Sequence, residues 1–162
     1  MGEPSRSPFP AVTVFLLGQL GALADEASRI GTMAGEPHRA ATLGEALDRL
    51  RHRLPAHVRV VERLLFVPLR GHGVYDDLLA LEEEHGALEH WAAEIHDGGC
   101  DAAAVADFAR ALRAHIDNER RILRAAAAAS RERLSQIPRW RAEELFECTG
   151  GPTQAWPGEW LG

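Results

Sequence analysis

The chain has 162 residues, of which 46% are hydrophobic and 26% charged, with a formal charge of −6 at neutral pH. That length suits one domain with a sizeable core, and an acidic balance without a basic patch argues against a nucleic-acid binder. Abundant Ala, Leu, Arg and Glu, few aromatics and one Tyr favour helix over strand.

Residues 1–10 hold three prolines and read as an extended lead-in. Arg6, the apolar run 11–17 and Ala22-Leu-Ala24 have the outline of a short secretory leader. Against that, Glu3 offsets the single arginine, Gly18 and Gln19 interrupt the run, and Leu16, Leu20, Leu23, Ala27 and Ile30 carry one helical stripe past any cleavage point. The expectation is a first core helix from about Ala11 to Met33. Gly35-Glu-Pro-His38 ends it, and Thr42 with Glu45 predicts a capping box opening a second helix. That helix carries Leu43, Leu47, Leu50, Leu54, His57, Val61 and Leu65 on one face and runs to about Pro68, with a kink or short break expected at Pro55.

A third helix, about Tyr75 to His96, has the stripe Leu81, His85, Leu88, Ala92, Ile95 with Glu89 beside it. Gly98-Gly99 ends it, and Asp101 is positioned to cap a fourth helix running to about Gln136. Four long amphipathic helices with short links predict an all-α, up-down-up-down antiparallel four-helix bundle over residues 1–138. No run of about 20 apolar residues exists, so no membrane span is expected. Residues 139–162 hold a short helical piece near Glu143–Phe146 and then Trp156 and Trp160. This tail is expected to pack on the bundle or to dock a second copy or another protein. Cys100 and Cys148 form no CxxC or zinc-ribbon spacing, so a reduced, cytoplasmic setting is expected.

The fourth helix carries the chemistry. Val105, Phe108, Leu112, His115, Glu119, Ile122 and Ala126 share one stripe, so an imidazole and a carboxylate one turn apart point into the core. A buried carboxylate costs several kcal/mol unless it is paired, and a metal ion is an economical partner. Core-facing polar candidates are then His57 on the second helix, His85 and Glu89 on the third, and His115 and Glu119 on the fourth. Imidazoles and carboxylates converging inside a bundle are what iron, manganese or zinc sites require. His38, His52, His72, His90 and His96 read as surface or loop residues. Glu82-Glu-Glu84 reads as mostly solvated charge, with Glu82 one turn before His85 and placed to orient it.

The sequence resembles the hemerythrin-like, HHE cation-binding family. His57-Val-Arg-Val-Val61-Glu62-Arg-Leu-Leu-Phe66-Val-Pro-Leu69 is similar to the family's His-x-x-x-Glu-Glu-x-x-Leu-Phe-Pro-x-Leu segment, Glu84-His85-Gly-Ala-Leu to its Glu-His-x-x-Leu, and His115-Ile-Asp-Asn-Glu119 to its His-x-x-x-Glu. The resemblance implies a bundle around a non-haem di-iron centre that reacts with dioxygen, nitric oxide or peroxide, or that senses or stores iron. Two departures bear on the ligand set. Gln19-Leu20 stands where the family's first helix supplies a histidine, and Val61 holds the position of a bridging glutamate. Glu62 follows Val61 but lies about 100° further round, and would face the site only if the helix unwinds.

The expected centre is therefore mononuclear, with His85, His115 and Glu119 as ligands, His57 completing or flanking it, and Glu89 as a fourth ligand or base. Iron is the leading metal, with manganese and zinc also compatible. A small-molecule ligand or substrate is the expected partner. Two other readings stay open: a metal-free enzyme using these histidines for acid–base chemistry, with Glu119 or Glu89 fixing the tautomer, and a non-catalytic sensor or interaction module.

Overall fold

A computed structural model of the chain describes residues 9–66, 69–70, 73–98 and 101–148. Among these residues all regular structure is helical. The four long helices are α1 (Ala11–Met33), α2 (Ala40–Val61), α3 (Tyr75–Gly98) and α4 (Ala102–Ala129), followed by two short ones, α5 (Arg131–Ser135) and α6 (Arg139–Cys148). Helix α1 packs on α2 and α4, and α3 closes the ring by packing on the same two. Short links between successive helices make neighbours antiparallel, giving the up-down-up-down bundle.

Every expected stripe is in the core. Leu16, Leu20, Leu23, Ala27 and Ile30 of α1, Leu43, Leu47, Leu50, Leu54 and Val61 of α2, and Leu81, Leu88, Ala92 and Ile95 of α3 are all buried. So are Val105, Phe108, Leu112, Ile122 and Ala126 of α4, with Phe108 edge-on to Trp91 at 5.7 Å between ring centroids. No helix among the described residues is long and apolar enough to cross a membrane.

Local details depart from expectation at several points. Helix α2 starts at Ala40, behind a 3₁₀ turn over Pro37–Arg39, and Arg39 in the cap position makes no side-chain capping bond. The turn delivers the chain already wound, with Arg39 N–H on Glu36 C=O, so Thr42 and Glu45 are exposed residues of the helix rather than a capping box. Helix α2 runs unbroken through Pro55, whose carbonyl accepts from Arg59 Nε at 3.3 Å. Instead the regular winding gives way after Val61, where Glu62–Phe66 form a π-helical turn. Asp101 caps α4 as expected, its carboxylate accepting from Ala104 N–H at 3.2 Å. Helix α4 stops at Ala129 rather than Gln136, because Ser130 leaves the helical region at φ −133° and ψ 31°. The chain then re-enters a helix as α5 and buries Leu134. Helix α6 lies against α1 and α2, with Ala142 fully buried and the Arg139 guanidinium 6.0 Å from the Phe15 ring centroid. Trp156 and Trp160 lie outside the described residues.

Candidate metal centre

Helices α2, α3 and α4 each bring an imidazole to the middle of the bundle. His57, His85 and His115 are 1%, 1% and 6% exposed, and Glu119 is fully buried among them. Helical spacing explains the pair on α4, since residues four apart stack on one face. Tertiary packing of the other two helices supplies the remaining rings. His85 and His115 meet edge to face, 4.9 Å between centroids and 71° between planes.

The three rings share one orientation, with Nε2 inward and Nδ1 outward. His57 Nε2 donates to Glu119 Oε1 at 3.0 Å. His115 Nε2 and His85 Nε2 lie 3.3 and 3.5 Å from Glu119 Oε2. On the outer side, His57 Nδ1 meets the side-chain amide of Gln19 at 3.0 Å, His115 Nδ1 donates to Glu84 Oε2 at 2.6 Å, and His85 Nδ1 faces Glu62 Oε1 at 3.8 Å. Asn118 holds the other oxygen of Glu84 at 3.2 Å.

Electrostatics follow this layout. Desolvation is the largest influence on Glu119 and pushes its carboxyl upward. The attraction of His57 and the polar contacts of His115, His57 and His85 together outweigh it, holding the carboxyl well below the usual range. Burial pulls the His115 imidazolium down, but its close contact with Glu119, its bond to Glu84 and the charges of both raise it above the ordinary histidine value. Burial pushes Glu62 up, its proximity to Glu82 and Glu89 adds to that, and His85 opposes it.

Pairing is incomplete at the centre. His85 Nε2, His115 Nε2 and Glu119 Oε2 are buried and make no hydrogen bond. Each such group costs about 1–3 kcal/mol when left unmet. The Glu84 carboxylate accepts only, so it takes the hydrogen on His115 Nδ1. A neutral ring then presents a lone pair at Nε2 directly to a carboxylate oxygen. Two lone pairs at that distance repel unless a proton or a metal ion lies between them. Ligand atoms about 2.0–2.1 Å from a common tetrahedral ion stand about 3.4 Å apart, which matches the 3.3 and 3.5 Å from Glu119 Oε2 to His115 Nε2 and His85 Nε2. The donor set and its orphaned atoms therefore fit a cation held by His85, His115 and Glu119, whose ligand atoms all lie within 4.8 Å of one another.

Of the residues expected from sequence, these three converge. His57 joins them through the other oxygen of Glu119. Glu89 is half-buried on α3, and its resolved influence is on Glu62 rather than on the central cluster. His38, His52 and His90 are exposed, as expected, whereas His72 lies outside the described residues and nothing is assigned to the His96 side chain. Three contacts are added by the structure. Gln19 is 2% exposed and partners His57, Glu84 anchors His115 instead of standing in solvent, and Glu62, not the exposed Glu82, faces His85. Glu62 is still regularly wound, its N–H on the Val58 carbonyl, so it stays off the bridging position held by Val61 and meets the outer side of His85; the π-helical turn opens with it. A faint signal for Gln19 existed, in that it sits one residue before Leu20 on the helix that carries the core stripe.

A bundle with imidazoles closed around one buried carboxylate has the donor set of a cation-binding helical protein. Residues 15–127, well over half of the chain, match the family model of the Hemerythrin HHE cation binding domain, and the protein belongs to that family. Neither the curated proteins nor the solved structures yield a significant match to the chain.

Proposed function

We propose that the protein holds a single iron ion through His85, His115 and Glu119 and uses it to bind dioxygen or nitric oxide, or to oxidise a small molecule. The observation carrying this reading is the set of three buried, unpaired ligand atoms facing one point. Bound there, iron(II) would supply one-electron redox chemistry and open coordination positions.

The chain's own residues do the rest. Glu119 offsets the cation's charge with Oε2 while His57 fixes Oε1, so the carboxylate is held by both ends. Gln19 occupies the outer nitrogen of His57, and Leu20 beside it fills core volume where the family resemblance would place another imidazole. Val61 is apolar and fully buried at the expected bridging position, which favours one ion over two. Leu16, Leu20, Val61 and Leu112 are fully buried in the surrounding core and keep bulk water away, which strengthens every electrostatic contact at the centre. Metal-free acid–base chemistry would put a proton, in place of the cation, between His115 Nε2 and Glu119 Oε2, and metal titration separates the two readings. The test is metal content: protein purified without chelator is expected to carry about one equivalent of iron per chain. Folded protein that takes up no iron(II), manganese(II) or zinc(II) on titration would overturn the reading.

A further inference from the structure

The three outward nitrogens are not equally supported, and the inequality points to a division of labour. His115 Nδ1 donates to Glu84 at 2.6 Å, and Asn118 fixes the other oxygen of that carboxylate at 3.2 Å. His85 Nδ1 has only Glu62 at 3.8 Å, beyond hydrogen-bond reach, and makes no hydrogen bond. We propose that Glu84, held by Asn118, is the positioning residue of the metal centre: it fixes His115 as the Nδ1–H tautomer and aims the Nε2 lone pair at the cation, so that α4 presents a preformed half-site to which His85 adjusts. This rests on the cation reading above.

The physical case is local. Glu84 reaches across from α3 to α4, whereas its neighbours Glu82 and Glu83 stay exposed. Its side chain is 41% exposed, yet one oxygen is tied to a ring that is 5% exposed. A carboxylate on the outer nitrogen of a metal-facing imidazole fixes ring orientation and raises ligand basicity, typically worth about ten- to hundredfold in metal affinity. Asn118 and Glu119 are adjacent on α4, so one turn of helix carries the ligand carboxylate, the ligand imidazole and the clamp on its orienting partner.

The full chain is titrated with cobalt(II) as a spectroscopic probe, and its zinc-loaded form is studied by NMR. Glu84→Ala is expected to weaken cobalt(II) binding by about ten- to hundredfold. Glu84→Gln is expected to fall between, because one carbonyl oxygen must then serve both Asn118 and His115. Asn118→Ala has the same sign and a smaller size. Glu83→Gln, which removes the same charge from an exposed neighbour, is expected to bind within about twofold of the parent, since exposed charges are screened. In the zinc form the parent protein is expected to show a downfield, slowly exchanging His115 Nδ1–H proton, which Glu84→Ala should lose. Should Glu84→Ala fail to fold, Glu84→Gln and Asn118→Ala decide by the same readouts. Parent-like affinity and an unchanged Nδ1–H signal in the Glu84 variants, with binding still abolished by His115→Ala, would overturn this proposal and leave the cation reading standing. A parent chain that binds no cobalt(II) or zinc would overturn both.

Discussion

Glu26 and Glu119 lie at almost the same depth in the bundle, 1% and 0% exposed, and their surroundings could hardly differ more. Glu26 on α1 is met by Arg49 of α2 at 3.0 Å and by Arg29 at 3.5 Å, guanidinium groups that carry permanent charge and stay partly in water. Its pairing is complete without help. Glu119 is met by three imidazoles, whose protons can be given up, and one of its oxygens has no hydrogen bond. The first arrangement ties two helices together; the second is a socket. Depth alone does not separate them, whereas the chemistry of the partners does.

The comparison can be broken most sharply by exchange of each carboxylate for an amide. Glu119→Gln is expected to lower cobalt(II) affinity by more than about a hundredfold, since losing a ligand costs more than losing its orienting partner. Glu26→Gln should leave affinity unchanged. Equal losses in calorimetric titrations of the two variants would erase the distinction.

Ligand-linked stability is the next measure. At a free cation concentration about a hundredfold above Kd, binding adds about 2.7 kcal/mol, a rise in Tm of about 5–10 °C for a chain of this size. The parent and Glu26→Gln should both gain it, and Glu119→Gln should not. Thermal melts with and without cation read this directly.

Acid stability of the metal-free protein sharpens the contrast further. Because the folded Glu119 carboxyl is held low, the native state binds fewer protons than the unfolded chain once pH approaches the ordinary carboxylate value of about 4.3. Its contribution is present above that value and is lost as pH falls through the depressed one. His115 has the opposite sign: its contribution is complete below about pH 6.5 and fades as pH rises through the raised folded value. Denaturant midpoints across pH should show a shallower acid limb in Glu119→Gln than in the parent.

The smallest effect is expected at Glu26. Glu26→Gln should cost about 1–2 kcal/mol, because both arginines are more than a third exposed and rehydrate when the carboxylate is removed. Chemical denaturation is sufficient to detect it.

Much of this was legible in the sequence, and the boundary is physical. Periodicity placed Leu112, His115 and Glu119 on one buried face, because side chains four apart on a helix must point together. Helix count and short links then brought His57 and His85 to the same interior. The outer partners were not legible, since Glu84 meets His115 only through the register between α3 and α4, which no single helix encodes. Glu26 was missed for the same reason, its partner Arg49 standing on another helix. Thr42 and Glu45 misled because a capping box is a local pattern, and the 3₁₀ turn ahead of it had already started the helix. Glu62 stays off the bridging position, as regular winding requires, but its place beside His85 Nδ1 depends on the register between α2 and α3.

The widened turn at Glu62–Phe66 holds one surplus residue at the C-terminal end of α2. Its exposed member, Arg63, is therefore the place where α2 can lose a residue and revert to ordinary winding while Leu64 and Leu65 keep their buried places. A deletion anywhere between Leu43 and His57 would instead rotate the imidazole by about 100° relative to the leucines on one side of the cut. Arg63 is thus a permissive address for length variation in this helix, one residue from the Glu62 that faces His85.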